Sequence, residues 1–276
     1  MKTPRAGAAW LAAACLGLGL FHAAAALRVP VGAASDDALF ILLAKNIFNG
    51  TYGAPEAGVS YIPAQLPGLP LLLAGPASLV SSPSFNWSWF RFPMLFFSFI
   101  FVFFTWRLSL RLFPDGQAAA VALIIGLNRA FVGHAGAVLP DIPFAALALA
   151  LFEGLAAGIS VPVLAAGTAF ACLLRPHGVA LAAALAWGLG RNRGPAFLAA
   201  ALLPWGLWTA MAGGSPAAHS FAGLWSAQAS PDIGRLATHA AEALSRLTGQ
   251  GCFGSPWPGA AGAAWGLGGL ALAGAG

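Results

Sequence analysis

Long apolar segments with almost no charged residues run through most of this chain, and they constrain its fold more than any other feature. Such segments occupy 8–27, 91–112, 117–134, 142–159, 161–174, 178–190, 195–212 and 259–276. Only 8% of the residues are charged, whereas an ordinary soluble domain has about 25%. In lipid the backbone polar groups must bond within the protein, which favours helices for segments of this length. The sequence therefore predicts an all-α, polytopic membrane protein with about eight transmembrane helices.

The basic residues set the predicted orientation of these helices. Lys2 and Arg5 precede the first segment, and two further basic clusters lie at 107–111 and 191–193. Basic residues favour the cytoplasmic side of a membrane. All three clusters fall on that side only if the proline-rich segment 63–82 does not cross. We therefore predict a re-entrant or interfacial segment there, an uncleaved first helix and a cytoplasmic N-terminus.

This orientation predicts one transmembrane domain, 1–276, with two large outer loops. Residues 28–90 form the first outer loop, which holds a short interfacial helix and the re-entrant segment, and residues 213–258 form the second. Arg28 and Arg91 flank the first loop and are predicted to anchor it at head-group level. The basic residues are scattered, so we expect membrane lipids as partners and no nucleic acid. The three cysteines are far apart and indicate neither a disulfide framework nor a metal cluster.

Two adjacent acidic residues open the stretch 34-ASDDALFILLAKNIFNGTYG-53. Ser35 is a suitable helix N-cap, and Asp36 and Asp37 then occupy the first turn, where carboxylates suit the helix dipole. The pair Asn49–Gly50 follows the apolar run and is a suitable helix stop. Capping requires Ser35 and at most one acid. The pair is therefore compatible with a simple helix start and also with a functional site.

Four other residues are predicted on the same outer side as this pair. Asp141 precedes the helix over 142–159, where it either caps the helix or forms an acid–base or metal site with Asp36. Arg175 separates two apolar segments, so it either snorkels or binds an anion through its guanidinium fork. His177 adds a donor or titratable group beside it. Lys45, on the interfacial helix, is a candidate partner for an anionic group or a lipid head group.

Four stretches, in this order, resemble the GT-C fold glycosyltransferases, which take sugars from polyprenyl-phosphate carriers. This family includes protein mannosyltransferases and the aminoarabinose transferases of lipid A. The stretches are 36-DDALFILLAKNIFNGTYG-53, 61-YIPAQLPGLPLLLAG-75, 139-LPDIPFAALALAL-151 and 174-LRPHGVAL-181. They are similar to the family's acidic pair with its interfacial helix, its Tyr-Pro-Pro-Gly-Tyr-Pro segment, its second outer-loop aspartate and its Arg-Pro-x-Gly break. The second stretch departs from the pattern, because one of the paired prolines is displaced.

The resemblance implies an inverting glycosyltransferase with a polyprenyl-phosphate-linked sugar donor and a lipid, glycan or protein acceptor. Asp36 would be the general base, and Asp37 stands where the family often has a glutamate. Asp141 would assist catalysis or hold a divalent metal where family members use one. Arg175 would bind the lipid-linked phosphate. The expected location is the bacterial cytoplasmic (inner) membrane, with the reaction at its outer face.

Other interpretations of the same sequence stay open. The chain is short for the family, so we expect the C-terminal part of the family domain to be absent, together with any site that later loops complete. Broken helices and buried acids also occur in multi-span transporters and lipid-carrier flippases. The lack of an internal repeat and the position of the acids at one face count against this class. A third possibility is a non-catalytic membrane subunit or fragment in which the aspartates only cap helices.

Overall fold

The computed structural model describes residues 17–26, 28, 35–47, 50–53, 65–78 and 87–212, and the regular structure in these ranges is helical, without a strand. The helices are α1 (Gly17–Ala26), α2 (Ser35–Ile47), α3 (Gly68–Ser78), a 3-10 turn (Trp87–Phe90), α4 (Arg91–Ser109), α5 (Asp115–Gly126), α6 (Arg129–Ala135), α7 (Asp141–Ala156), α8 (Val161–Leu174) and α9 (Gly178–Ala212).

By length and composition, two helical stretches can cross a membrane. They are Arg91–Ser109 and Gly178–Met211, the second of which is divided at Gly190, and α5 with α6 makes a third if this bent pair is one span. The prediction of an all-α membrane protein is confirmed at this level. The count of about eight spans stays a prediction, and the predicted outer loop 213–258 and span 259–276 lie outside the described residues.

The proline-rich part of the predicted first loop forms the short helix α3. Pro67 precedes this helix, and its carbonyl accepts a hydrogen bond from the Leu71 amide at 2.9 Å. The helix has 11 residues, so it is about 16 Å long at 1.5 Å per residue. That is about half the roughly 30 Å thickness of the hydrocarbon core. The described helix is therefore shorter than a span. Residues 63, 64 and 79–82 of the predicted segment lie outside the described residues, and its re-entrant or interfacial position stays a prediction.

Helices α4 and α7 pack side by side and run in the same direction. Near the C-terminal end of α4, Arg107 in the helix and Arg111 in the turn after it both bind the carboxylate of Glu153, which lies near the C-terminal end of α7. The Arg107 Nη2 to Glu153 Oε1 distance is 3.1 Å, and the Arg111 Nε to Glu153 Oε2 distance is 2.8 Å. We call this end of the helices the Glu153 end. The N-terminus of α7, at Asp141, marks the opposite end, the Asp141 end.

The predicted span over 117–134 is bent rather than straight. Helices α5 and α6 meet at 62°. The Asn128 side chain begins the new helix by accepting hydrogen bonds from the Ala130 amide at 2.9 Å and the Phe131 amide at 3.3 Å. On the other side of the bend, the His22 ring Nε2 lies 2.6 Å from the Gly126 carbonyl oxygen. These side chains bond backbone groups that a bend would otherwise leave unpaired in an apolar environment.

Helix α9 consists of two arms that meet at Gly190. Its φ of 75° and ψ of 177° lie in a region that essentially only glycine occupies. A methyl group built on Gly194 would lie 2.6 Å from the Ala186 carbonyl oxygen, although eight residues of a straight helix rise about 12 Å. The chain therefore reverses at Gly190. This agrees with the sequence-based prediction of separate segments at 178–190 and 195–212.

The start of α3 touches the end of α8 backbone to backbone. A methyl group added at Gly68 would lie 2.6 Å from the Leu173 carbonyl group and the Leu174 amide nitrogen. Gly68→Ala is therefore expected to lower the free energy of unfolding by about 1–3 kcal/mol, the usual cost of overpacking. Gly75→Ala in the same helix is the matched control, because nothing lies within 4 Å of the added methyl group. Thermal unfolding of the two purified variants in detergent measures the difference, and equal unfolding temperatures would contradict this packing.

Candidate functional site

The acidic pair on α2 divides into one exposed and one buried carboxylate. Helix α2 begins at Ser35, and both acids lie in its first turn as predicted. Asp37 is only 2% exposed, and its Oδ1 accepts a hydrogen bond from the Ala38 amide at 2.8 Å. Asp36 is exposed. The two carboxylates therefore differ in access to a substrate, which the sequence alone does not reveal.

The other end of α2 is closed by a hydrogen-bonded turn. Gly50 has a φ of 71°, and its amide donates to the Ile47 carbonyl at 3.0 Å. The Asn46 side chain donates to the Gly53 carbonyl, also at 3.0 Å. Helix α2 ends at Ile47, close to the predicted stop at Asn49–Gly50, of which Asn49 lies outside the described residues. Lys45 is exposed at this end. Nine residues separate it from Asp36, about 13.5 Å along the helix axis, so the two side chains belong to opposite ends of α2.

Asp141 and Arg175 form a direct ion pair. Asp141 is the first residue of α7, and Arg175 follows the last residue of α8 in an extended conformation, with φ of −147° and ψ of 143°. Both side chains are partly buried. The Nε of Arg175 is buried and has no hydrogen-bond partner in the part of the chain that the structure describes. Because that atom is enclosed by protein, an anionic ligand of Arg175 would have to approach the exposed third of its side chain.

His177 lies two residues further on, in the turn between α8 and α9. Its side chain is exposed, and its carbonyl oxygen accepts hydrogen bonds from the Ala180 amide at 3.1 Å and the Leu181 amide at 3.2 Å. The backbone of His177 therefore starts α9. The exposed His177 side chain is thus close in sequence to Arg175, one member of the ion pair.

A single hydrophobic cluster joins α2 to the Asp141–Arg175 pair. The cluster consists of buried side chains from α2, α3, the start of α4, the segment before α7 and the end of α8: Phe40, Ile41, Ala44, Leu69, Leu73, Ala77, Phe90, Met94, Val138 and Leu174. Ile41 follows Asp37 by four residues, Val138 precedes Asp141 by three, and Leu174 directly precedes Arg175. The acidic pair and the ion pair thus sit within about one helical turn of the same cluster, at the Asp141 end.

Arg91 lies at the Asp141 end, and its surroundings differ from those predicted from the sequence. The sequence predicted a head-group anchor, but Arg91 is only 4% exposed; Arg28 is exposed, and its predicted role as an anchor stays a prediction. Arg91 is the first residue of α4, where a cation opposes the helix dipole. That unfavourable position was the one signal in the sequence for a role other than anchoring. Its neighbours Phe90 and Met94 are members of the cluster described above.

A tyrosine in the turn after α2 links three segments of this end. The Tyr52 hydroxyl donates a hydrogen bond to the Gln65 carbonyl at 3.0 Å. The Tyr52 and Trp208 rings pack edge to face, with their centroids 4.9 Å apart. The C-terminal arm of α9 therefore reaches the same end of the helices. The sequence gives no sign of this contact, because 156 residues separate the two rings along the chain.

Two further features bear on ligands. Among the described residues there is no group of three or more histidine, cysteine, aspartate or glutamate side chains that could hold a metal ion. The carboxylate of Asp141, the predicted metal ligand, is bound to a guanidinium. Between α1 and α4 lies a mostly apolar cavity of about 250 Å³, lined by side chains that include Leu18, Phe99 and Val102.

The helices and their apolar lengths define an all-helical protein with two to three candidate membrane spans. Compared with known proteins, the chain matches no family model, no curated protein and no solved structure.

Proposed function

We propose that this protein is a membrane glycosyltransferase that moves a hexose or pentose from a polyprenyl-phosphate carrier to an acceptor at the outer face of the cytoplasmic membrane. The acceptor is a lipid, a glycan or a protein. The observation that carries the proposal is that the acidic pair Asp36–Asp37 and the Asp141–Arg175 ion pair both lie within about one helical turn, along the chain, of members of one hydrophobic cluster. An exposed carboxylate and a partly exposed guanidinium are the two groups that such a transfer requires.

The proposed chemistry is a single displacement at the anomeric carbon. The acceptor oxygen forms a bond to this carbon while the bond to the carrier phosphate breaks, and the acceptor proton passes to Asp36. Asp36 is the better base of the two because it is exposed, whereas Asp37 is buried and bonded to the backbone. One displacement with base assistance inverts the configuration at the anomeric carbon.

The leaving group determines the role of the cations. A carrier phosphate leaves as an anion, so positive charge lowers the barrier more than a proton would. Arg175 is the main candidate, because guanidinium forks bind phosphate and about a third of its side chain is exposed. Asp141 holds the guanidinium in place when no phosphate is bound. Lys45 and His177 are exposed and serve as secondary contacts for the head group, and the apolar cavity beside α1 is a site for part of the prenyl chain.

Binding of the carrier provides a test that requires neither the sugar nor the acceptor. Arg175→Gln is expected to weaken the binding of polyprenyl phosphate by about 10- to 100-fold, the effect of losing one hydrogen bond to a charged group. Binding is measured on the purified protein by displacement of a labelled polyprenyl phosphate. Arg193→Gln is the matched control, since it removes the same charge from an exposed position outside this site. Equal affinities of the two variants would refute the assignment of Arg175.

The bend between α5 and α6 favours a second candidate function, a multi-span transporter or lipid-carrier flippase. Helices broken within the membrane often mark transport sites, and this pair bends by 62° at a break of a few residues. Reconstituted vesicles distinguish the two functions. Movement of a labelled polyprenyl-phosphate sugar across the bilayer without sugar transfer would identify a transporter and end the transferase proposal.

A further inference from the structure

A second charged cluster lies at the opposite end of the helices from the proposed transfer site. Glu153 accepts hydrogen bonds from Arg107 and Arg111, and the fork of Arg111 uses both carboxylate oxygens, at 2.8 and 3.0 Å. The Glu153 side chain is only 7% exposed, while Arg107 and Arg111 are 48% and 42% exposed. The carboxylate therefore lies beneath two guanidiniums that face the surface.

One carboxylate neutralises only one of the two guanidiniums. Arg107 uses Nη2 for Glu153, and Arg111 uses Nε and Nη2. Within the described ranges, the remaining guanidinium nitrogens of both residues have no hydrogen-bond partner. The cluster thus presents one excess positive charge and several N–H donors, in an arrangement that Glu153 fixes. Fixed, paired guanidiniums are suited to bind the oxygens of a phosphate group.

The charge around this cluster is also positive overall. Asp115, at the start of α5, is exposed and adds one negative charge. Arg191 and Arg193 are exposed just beyond the Gly190 turn. That turn lies at the Glu153 end, because a methyl group at Gly188 would meet the Leu155 side chain at 2.7 Å.

Exposed apolar side chains border the guanidiniums on both sides. Phe103 lies one helical turn before Arg107, and Leu112 and Phe113 directly follow Arg111; all three are exposed. A free phosphate ion or an acidic peptide would not cover these exposed apolar side chains. A phospholipid does, because its acyl chains cover apolar side chains while its phosphate meets the cations.

We propose that Arg107 and Arg111, held by Glu153, bind the phosphate of an anionic phospholipid at the Glu153 end. The acyl chains of this lipid lie against Phe103, Leu112 and Phe113, the exposed apolar side chains beside the two guanidiniums. Glu153 is a positioning residue that sets the spacing of the two guanidiniums. The proposal does not depend on glycosyl transfer, since it concerns the opposite end of the helices.

Lipid binding to the full chain in nonionic detergent tests the proposal. The protein is mixed with phosphatidylglycerol or phosphatidylcholine that carry the same acyl chains, and bound lipid is measured by native mass spectrometry. We expect phosphatidylglycerol to bind more tightly. Arg107→Gln should weaken its binding about fivefold, the effect of one basic residue at a membrane surface, and leave phosphatidylcholine unchanged. Arg111 retains both hydrogen bonds to Glu153 in this variant, so the fold is expected to persist.

Arg193→Gln is the matched control, because it removes an exposed charge from the same end without touching Glu153. It should change phosphatidylglycerol binding by less than twofold, roughly the scale of a screened, distant charge. Equal binding of the two lipids, or equal losses in Arg107→Gln and Arg193→Gln, would overturn the site. If Arg107→Gln does not fold, Arg107→Lys decides: retained preference for phosphatidylglycerol supports the proposal, and lost preference with an intact fold refutes it. Full displacement of phosphatidylglycerol by inorganic phosphate or by a polyglutamate peptide would exclude a lipid ligand.

Discussion

Asp36→Asn is expected to reduce glycosyl transfer by about 10²- to 10⁴-fold, the usual contribution of a general base. The amide keeps the size of the side chain but cannot take the acceptor proton. Asp36 is exposed and lies in the first turn of α2, so the fold should persist, and loss of its charge there should lower the stability by no more than about 1 kcal/mol. The measurement is transfer of a labelled sugar from polyprenyl-phosphate donors in reconstituted vesicles.

Asp115→Asn provides the matched control for this variant. Asp115 is also an exposed acid in the first turn of a helix, but it begins α5, away from the proposed site. We expect it to retain full transfer activity. If Asp36→Asn retained wild-type transfer with an intact fold, Asp36 would be a helix-start residue only, and the mechanism proposed above would be wrong.

Glu153→Ala is expected to destabilise the protein by about 2–3 kcal/mol, in the range for lost hydrogen bonds to charged groups at a partly solvated site. The substitution removes all three hydrogen bonds that join α4 and the turn after it to α7. It also leaves two guanidiniums close together without a counter-charge. The loss of stability is limited because both arginine side chains are about half exposed, so water can hydrate their guanidiniums. Chemical or thermal unfolding in detergent measures the change.

Two comparisons separate this effect from a general loss of negative charge. Asp115→Ala removes an exposed acid and is expected to change stability by less than about 0.5 kcal/mol, as for surface positions generally. Replacing both Glu153 and Arg111 by methionine should restore part of the stability, because only Arg107 is then left without a counter-charge and it no longer has a like-charged neighbour. Equal stability of Glu153→Ala and the wild type would mean that the cluster does not hold α4 to α7.

Helix α7 links the two charged ends of the molecule. Its first residue, Asp141, pairs with Arg175, and Glu153 near its end pairs with Arg107 and Arg111. Twelve residues separate the two carboxylates, about 18 Å along the helix, whereas the hydrocarbon core is about 30 Å thick. In an α7 that crosses the bilayer, at least one of these pairs lies below head-group level, where charged side chains are usually functional.

Local features of the fold could be predicted from the sequence because they depend on a few neighbouring residues. The start of α2 at Ser35 and its stop at Gly50 follow from capping preference and from the freedom of glycine at positive φ. The separation of α8 from α9 follows from the polar and turn-forming residues after Leu174. The bend at Asn128 was not predicted, because an apolar segment of span length has the same hydropathy whether straight or bent.

The candidate site divides in the same way. The sequence indicated Asp36, Asp37, Asp141 and Arg175 as residues on one side of the membrane. It did not indicate that Asp141 and Arg175 are bonded, or that Asp37 is buried while Asp36 is exposed. These facts depend on which helices pack against each other. Adjacent residues of a helix point about 100° apart around its axis, so one can be buried while the next is exposed.

The sequence by itself determined the all-helical class, the approximate ends of most described helices and the grouping of charges toward two ends, because hydropathy, capping and charge act locally. Only the tertiary structure decided the partners. Glu153 meets Arg107 and Arg111 across 46 and 42 residues of chain, and Asp141 meets Arg175 across 34. Such contacts depend on the register and rotation at which the helices pack, which are set by close approaches such as that of Gly68 to the end of α8.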